Sequence, residues 1–241
     1  MSTKTDILLS NLRKCADRYG MIKNGDRVLC AVSGGKDSLA LAYGLKRLSA
    51  FYPEKFTVSA VTVDMGFGTV FSPLYDFMKR EEIPYEIIKT DIGKAIDGLE
   101  KPCSLCARLR RAALCNYAYE KGFGKLALGH TEDDLAETAL MNLFFGGQIY
   151  TLEPTTVYAD KSLTLIRPLS FTNERLISSL AKELSLPVIK NPCGRESDSA
   201  RAYVREIIKN TDRICRGTAH RTAKAYFDDD RAVNINDLKK T

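Results

Sequence analysis

Six consecutive residues, Ser33-Gly34-Gly35-Lys36-Asp37-Ser38, combine the group types that bind phosphate. Adjacent glycines let a backbone curl closely around a ligand. The hydroxyls of Ser33 and Ser38 and the ammonium of Lys36 can donate to it. The Asp37 carboxylate can accept from backbone or help hold a magnesium ion. The string falls where a predicted strand closes and a predicted helix opens, so free N–H groups and a helix N-terminus would face one negative group. An ordinary capped turn needs neither the lysine nor two serines at these offsets. The string is neither Gly-x-x-x-x-Gly-Lys-Ser/Thr nor the Gly-x-Gly-x-x-Gly dinucleotide pattern.

A second chemistry lies in the thiols. Cys103-Ser104-Leu105-Cys106 opens a predicted helix, with Lys101 before it and Arg108, Arg110 and Arg111 after it. A helix N-terminus and nearby cations lower a thiol pKa, which suits thiolate ligation. Cys193 stands apart in Asn191-Pro192-Cys193-Gly194, where proline and glycine make a bend able to present a thiolate. Three thiolates from two loops could hold three corners of a 4Fe–4S cube and leave the fourth iron open. With no second Cys-x-x-Cys, a closed four-thiolate zinc site is not spelled out. Residue chemistry alone leaves the cluster, zinc and no metal all open. Of the other cysteines, Cys30 and Cys115 are expected as packing residues, while Cys15 and Cys215 have no chemical context.

A third group follows a predicted strand: Gly129-His130, then Thr131 as a candidate cap, then Asp133, Asp134 and Glu137 on the next helix. Acidic groups beside a triphosphate would hold magnesium or orient the reacting group. Acids in a first helical turn also simply suit the helix dipole. Phe144-Phe145, further along that helix, are expected in the core. Near the C-terminus, Arg201, Arg205, Lys209, Arg213 and Arg216 fall within about 120° of one helical face. Tyr203, Val204, Ile207, Ile208 and Ile214 are expected to dock the opposite side. The basic stripe reads either as a solvated face or as a contact for RNA phosphates.

The elements that must carry these groups alternate. Strands are predicted over 27–32, 56–63, 85–89, 125–129 and 187–189, with an extended segment over 163–169. Helices are predicted over about 36–48, 71–81, 104–121, 132–145, 172–185 and 199–214. This alternation predicts an α/β fold, a single doubly wound parallel sheet with helices on both faces. In such sheets ligands sit at the carboxyl ends of strands, where the strand order reverses. Ala31-Val32 and Val63-Asp64 end the first two strands, and Asp64 reads equally well as a strand-end cap or as a site residue. The chain divides into a leading helical segment (1–25), a catalytic domain (26–218) and a charged tail (219–241).

Length and composition set the outer bounds. The 241 residues can bury a full core without disulfides, and 44% hydrophobic with 27% charged residues is ordinary for a globular protein. The net charge of +6 allows a polyanionic partner without demanding one. Two histidines exclude a multi-histidine metal site. No run is apolar for long enough to span a membrane, and the opening residues lack a signal pattern. A cytoplasmic protein with reduced thiols is therefore expected, its seven cysteines forming no disulfide framework.

The loop Ser33–Ser38 resembles the pyrophosphate loop of the ATP-pyrophosphatase (PP-loop) superfamily. Further strings extend the likeness: Cys103-Ser-Leu-Cys106-Ala-Arg108-Leu-Arg110-Arg111, Leu128-Gly129-His130 with Asp133-Asp134 and Glu137-Thr138, Asn142 to Gly147, Ile166-Arg167-Pro168-Leu169 and Pro192-Cys193-Gly194. Over about residues 10–205 they are similar in order and spacing to the tRNA 2-thiocytidine synthetase (TtcA) family. Some members carry a Cys-x-x-Cys-Gly where this chain has Cys193 alone before the glycine. The terminal zinc-finger cysteine pairs of the 2-thiouridine branch are lacking, which favours the cytidine branch.

The resemblance implies an adenine-nucleotide alpha-hydrolase-like, Rossmann-like fold. It implies ATP with Mg2+, a 4Fe–4S cluster on Cys103, Cys106 and Cys193, and thiolation of an anticodon-loop cytidine of tRNA. ATP would contact Ala31, Val32, Ser33 to Ser38, Val63, Asp64, Gly129, His130 and Asp133. Lys36, Asp37, Asp133 and Arg110 would serve catalysis, and Arg108, Arg111, Arg201, Arg205 and Lys209 would contact RNA. The expected partners are tRNA and a sulfide or persulfide donor of the cysteine desulfurase type, with a second subunit as an option and no membrane. Two rival readings stay open at this point: another adenylating enzyme on the same fold, and a non-catalytic nucleotide or metal sensor.

Overall fold

A computed structural model describes residues 3–100, 102–189 and 199–227. Six strands form one sheet: β1 (Arg27–Ala31), β2 (Thr57–Asp64), β3 (Tyr85–Lys89), β4 (Lys125–Ala127), β5 (Thr155–Tyr158) and β6 (Leu163–Ile166). Their order is β3-β2-β1-β4-β6-β5. The first five in that order run parallel, and β5 is an antiparallel edge on β6. The apolar runs of the inner strands are continuous because both faces are covered. Val28, Cys30, Val58, Ala60 and Ile166 face one core; Leu29, Val61, Leu163 and Leu165 face the other. This is the period-2 alternation of a pleated strand, here apolar on both sides.

Four helices line the first core: α1 (Thr3–Arg18), α2 (Lys36–Ser49), α3 (Ser72–Arg80) and, further on, α7 (Glu174–Glu183). The second core is covered by α5 (Cys103–Glu120), through Leu114, Cys115 and Ala118. A short α4 (Ile92–Ala95) precedes α5. Rather than standing apart as a leading segment, α1 buries Leu8, Leu9, Leu12 and Cys15. It packs closely on α2, where a β-carbon at Gly44 would meet Leu12 Cδ1 at 2.5 Å.

The chain folds as two compact units: Met1–Thr131 with Glu153–Glu196, and Glu132–Leu152 with Ser197–Thr241. The described part of the second unit holds α6 (Glu132–Gly146), α8 (Ser199–Ile214) and α9 (Thr218–Ala225). Part of the expected tail is therefore helical. Gly217, at φ +80°, turns the chain into α9, and Asp212 Oδ1 accepts from the N–H groups of Gly217 (2.7 Å) and Thr218 (2.9 Å). Residues 228–241 lie outside the described part.

Three further differences have local causes. The strand expected over 187–189 does not join the sheet: Pro187 lacks an N–H, Val188 N–H bonds back to Leu186 O, and Ile189 N–H reaches Gly34 O at 2.9 Å. The extended segment stops at Ile166, because Pro168 starts a 3₁₀ turn over Pro168–Phe171. The unpredicted β5 pairs only with β6, and Ser162 at φ 48° closes the hairpin.

The strand order reverses between β1 and β4. From β1 the chain moves outward through β2 to β3, while β6 lies on the far side of β4. The loops leaving β1 and β4 therefore diverge and open a crevice at their carboxyl ends.

Candidate active site

The loop after β1 fills that crevice. Gly34 adopts φ +87°, a conformation that favours glycine, and its carbonyl accepts from Ile189. Ser38 Oγ accepts from Ser33 N–H at 3.1 Å and donates to Gly35 O at 2.9 Å; Ser33 Oγ accepts from Gly35 N–H at 3.3 Å. Gly35 caps α2 with no side-chain bond of its own. The two serines thus close the loop from within. The first-turn N–H groups of α2 have no intrahelical acceptor and face the opening.

Lys36 is half-buried between two carboxylates, 2.7 Å from Glu174 Oε1 and 3.1 Å from Asp37 Oδ2. Burial works against its ammonium, but the hydrogen bonds and charges of Glu174 and Asp37 outweigh burial and lift its pKa above the ordinary lysine value. Lys36 keeps its charge through the neutral range. Glu174 was not anticipated. It is the first residue of α7, whose cap Asn173 accepts from Leu176 N–H at 2.9 Å. The Asn-Glu pair signals a helix start in the sequence; only the fold brings it to Lys36.

The loop after β4 meets the first from the other side of the crevice. A β-carbon at Gly129 would lie 3.0 Å from Ser38 N, so a glycine is needed for this approach. Next comes His130, whose Nδ1 accepts from Arg167 Nε at 3.3 Å. Ala31 and Val63 are partly buried against the second core, and Val32 is buried in the first. Asp64 Oδ1 accepts from Gly66 N–H at 2.9 Å, which is a strand-end cap.

The thiol pair lies at the end of the neighbouring strand. Cys106 Sγ is 3.7 Å from the sulfur of Met65, the residue after β2. Cys103 is exposed on the same helical turn, and neither thiol is in a disulfide. The donor set fits a thiophilic metal: two cysteine sulfurs at i and i+3, half-open, at a helix start. No third histidine, cysteine or carboxylate joins them among the described residues. Cys193 lies outside the described residues. Cys15 and Cys30 are buried, and burial pushes each thiol up to about 12; burial also raises Cys115. These three stay protonated at neutral pH. Arg108, Arg110 and Arg111 have no ion pair with any described residue. Arg110 is half-buried, while Arg108 and Arg111 are exposed.

The remaining expected residues belong to the second unit. Asp133 sits in the first turn of α6. Glu137 is buried, 3% exposed, and takes two arginines: Arg205 as a fork (2.7 and 3.1 Å) and Arg201 at 3.1 Å. Arg201 also lies 3.8 Å from Asp134. Lys209 is exposed beside Glu206 at 3.9 Å. Arg216 falls beyond the end of α8. Phe144 and Phe145 are not core residues: they are 51% and 60% exposed, because α6 ends there and its chain turns outward at Gly146-Gly147. Tyr203 and Ile214 are also exposed, and Val204 is the fully buried anchor of α8.

A single mostly parallel sheet with a serine- and glycine-lined phosphate loop at its reversal point defines a nucleotide-binding α/β protein. The profile of the PP-loop domain family matches residues 5–211. A relative from Coxiella burnetii (strain Dugway 5J108-111), a tRNA-cytidine(32) 2-sulfurtransferase, is 38% identical over 209 residues, covering 84% of this chain and 82% of its own. One of the same name from Shewanella sediminis is 37% identical over 213 residues, covering 85% and 67%. The U34-tRNA thiolase NcsA from Methanococcus maripaludis, solved with its 4Fe–4S cluster, superposes with a TM-score of 0.79 at 27% identity, over 92% of this chain and 77% of that one. The chain belongs to the PP-loop family and, within it, to the tRNA-cytidine 2-sulfurtransferases.

Proposed function

We propose that this chain is an ATP-dependent tRNA sulfurtransferase that replaces the C2 oxygen of an anticodon-loop cytidine with sulfur. The observation that carries the reading is the convergence of two chemistries at one sheet end: the Ser33–Ser38 loop after β1 and the Cys103/Cys106 pair beside the end of β2.

The loop N–H groups, with Lys36 and the Ser33 and Ser38 hydroxyls, hold the pyrophosphate part of ATP, while Ala31, Val32, Val63 and Asp64 flank the adenine. Asp37 would hold Mg2+, and Asp133 is assigned to the same chemistry. The C2 oxygen of the cytidine attacks the α-phosphorus, and the bond to pyrophosphate breaks. The base oxygen has then become part of an AMP leaving group. Sulfide sulfur attacks C2, the C2–O bond breaks, and AMP departs. Lys36 and Arg110 neutralise charge that grows on the phosphates, and Gly129 and His130 line the α-phosphate side.

Cys103, Cys106 and Cys193 are assigned to a 4Fe–4S cluster, which when bound supplies a thiophilic site for delivering sulfur. Arg108 and Arg111 guide the RNA backbone toward it. Arg201, Arg205 and Lys209 are further contacts for RNA phosphates, with Arg201 and Arg205 sharing their charge with Glu137. The sulfur comes from sulfide itself, or from a persulfide donor of the cysteine desulfurase type whose outer sulfur a thiol reductant releases as sulfide, the thiol being oxidised to a disulfide. The protein works in the cytoplasm, and a second copy can complete the RNA contact.

Mass spectrometry of tRNA nucleosides from cells lacking the protein tests the function: 2-thiocytidine is expected to vanish. An unchanged thionucleoside profile overturns the reading. Cys193→Ser is expected to lose iron and thiolation together, and full activity with normal iron refutes the ligand assignment.

A further inference from the structure

Arg167 takes no part in the phosphate loop or the thiol pair, yet it is charged and only 3% exposed. It forms no ion pair with a described carboxylate, although the charges of Tyr158 and Glu153 act on it. Its Nη1 donates to Glu153 O and to Thr156 Oγ1 (3.2 Å), and its backbone N–H donates to Pro154 O at 2.9 Å. Its carbonyl accepts from Ser170 Oγ at 2.7 Å and from Cys15 Sγ at 3.7 Å. The residue is therefore pinned at backbone and side chain. A buried cation held this firmly, with no ion pair to a described residue, can still answer negative charge that arrives beside it.

Another donor, Nε, points at His130 Nδ1, 3.3 Å away. A guanidinium has no acceptor, so this bond forms only when Nδ1 carries no proton. The neutral ring then carries its proton on Nε2. Position completes the argument. Leu128 N–H bonds to Ile166 O at 3.0 Å, so His130 and Arg167 each follow a paired strand end. Gly129 meanwhile rests on the first turn of α2. The ring thus sits between the phosphate loop and the buried cation. With pyrophosphate on the loop, the phosphate next in line is the α.

We propose that Arg167 is a positioning residue for the nucleotide: it holds His130 as the neutral Nε2–H tautomer, a donor to the α-phosphate, with a buried positive charge behind it. The proposal rests on the ATP-dependent reading above. Burial, and secondarily the charge of Arg111, lower the pKa of Arg167, consistent with a cation that an incoming anion would relieve.

The test uses the full chain labelled with 15N-histidine and long-range proton–nitrogen spectra. The chain has two histidines, so His220→Gln assigns the signals. In the wild type His130 is expected to carry its proton on Nε2, and titration with AMP is expected to move that resonance. A proton on Nδ1, or a resonance unmoved by AMP, overturns the proposal. Arg167→Met is expected to release the tautomer and lower the rate of AMP formation on the order of 10²-fold, with the KM for ATP within about threefold. Arg167→Lys, which keeps a charged donor, is expected to restore the tautomer and most of the rate. An unchanged tautomer in Arg167→Met counts against the proposal. The spectra need no turnover, so they fail separately from the thionucleoside assay.

Discussion

Two helices carry arginines at helical spacing, and the fold treats them in opposite ways. On α5, Arg108, Arg110 and Arg111 follow the thiol pair and have no ion pair with any described residue. On α8, Arg201 and Arg205 close on the buried Glu137, Arg205 through a bidentate fork of Nε and Nη2. The field of the first set is not answered by an ion pair among the described residues; the second spends most of its own inside the second unit. A carboxylate taken out of water needs such partners, and removing them is costly. Basic composition alone therefore does not mark a binding surface: what matters is whether the charge is already answered.

The largest expected effect comes from the open set. Arg110→Ala should lower AMP formation and thiolation on the order of 10²-fold, as loss of one preorganised cation does. Its melting temperature should not move, because the side chain has no ion pair among the described residues to lose. A matching loss of stability would mean that α5 is clasped like α8.

Glu137→Gln tests the closed set. The carboxylate is buried but its arginines are a third to half exposed, so a loss of about 2 kcal/mol in urea unfolding is expected, between the buried and surface values. Unchanged stability would erase the contrast between the two helices.

Arg108→Gln and Arg111→Gln should each weaken tRNA binding by roughly 3–10-fold and reduce the salt slope by about 1. Filter binding at several salt concentrations reads both quantities. Equal losses from Arg205→Gln, without destabilisation, would show the α8 arginines to be as available as those of α5. The smallest effect is expected for Lys209→Gln. Its partner Glu206 is exposed, so stability should stay within about 0.5 kcal/mol and tRNA affinity within about twofold.

Much of the architecture was legible because it is local. Apolar β-branched runs mark the inner strands, and Gly34-Gly35 followed by Lys36 marks the sharp turn into α2. The Cys103/Cys106 spacing puts two thiols on one helical turn whatever surrounds them. Elsewhere, local pattern misled. Phe144 and Phe145 read as core by residue type, but they fall where α6 ends and so lie exposed. Pro187–Ile189 read as a strand by β-propensity, yet its N–H groups go to Leu186 and to the phosphate loop. The edge strand β5 was missed because its four residues carry no signal apart from the β6 they pair with.

The chain by itself determined the chemistry on offer: a phosphate loop, a thiol pair, a histidine after a strand and two basic helices. These are properties of neighbours in sequence, governed by backbone conformation and helical spacing. The tertiary structure alone decided which charges are spent. Lys36 meets Glu174, His130 meets Arg167, and Glu137 meets Arg201 and Arg205, across gaps of 138, 37, 64 and 68 residues. Pairing at such separations depends on strand order and helix packing. Burial then sets its strength, because a charge removed from water must find its partner within the fold.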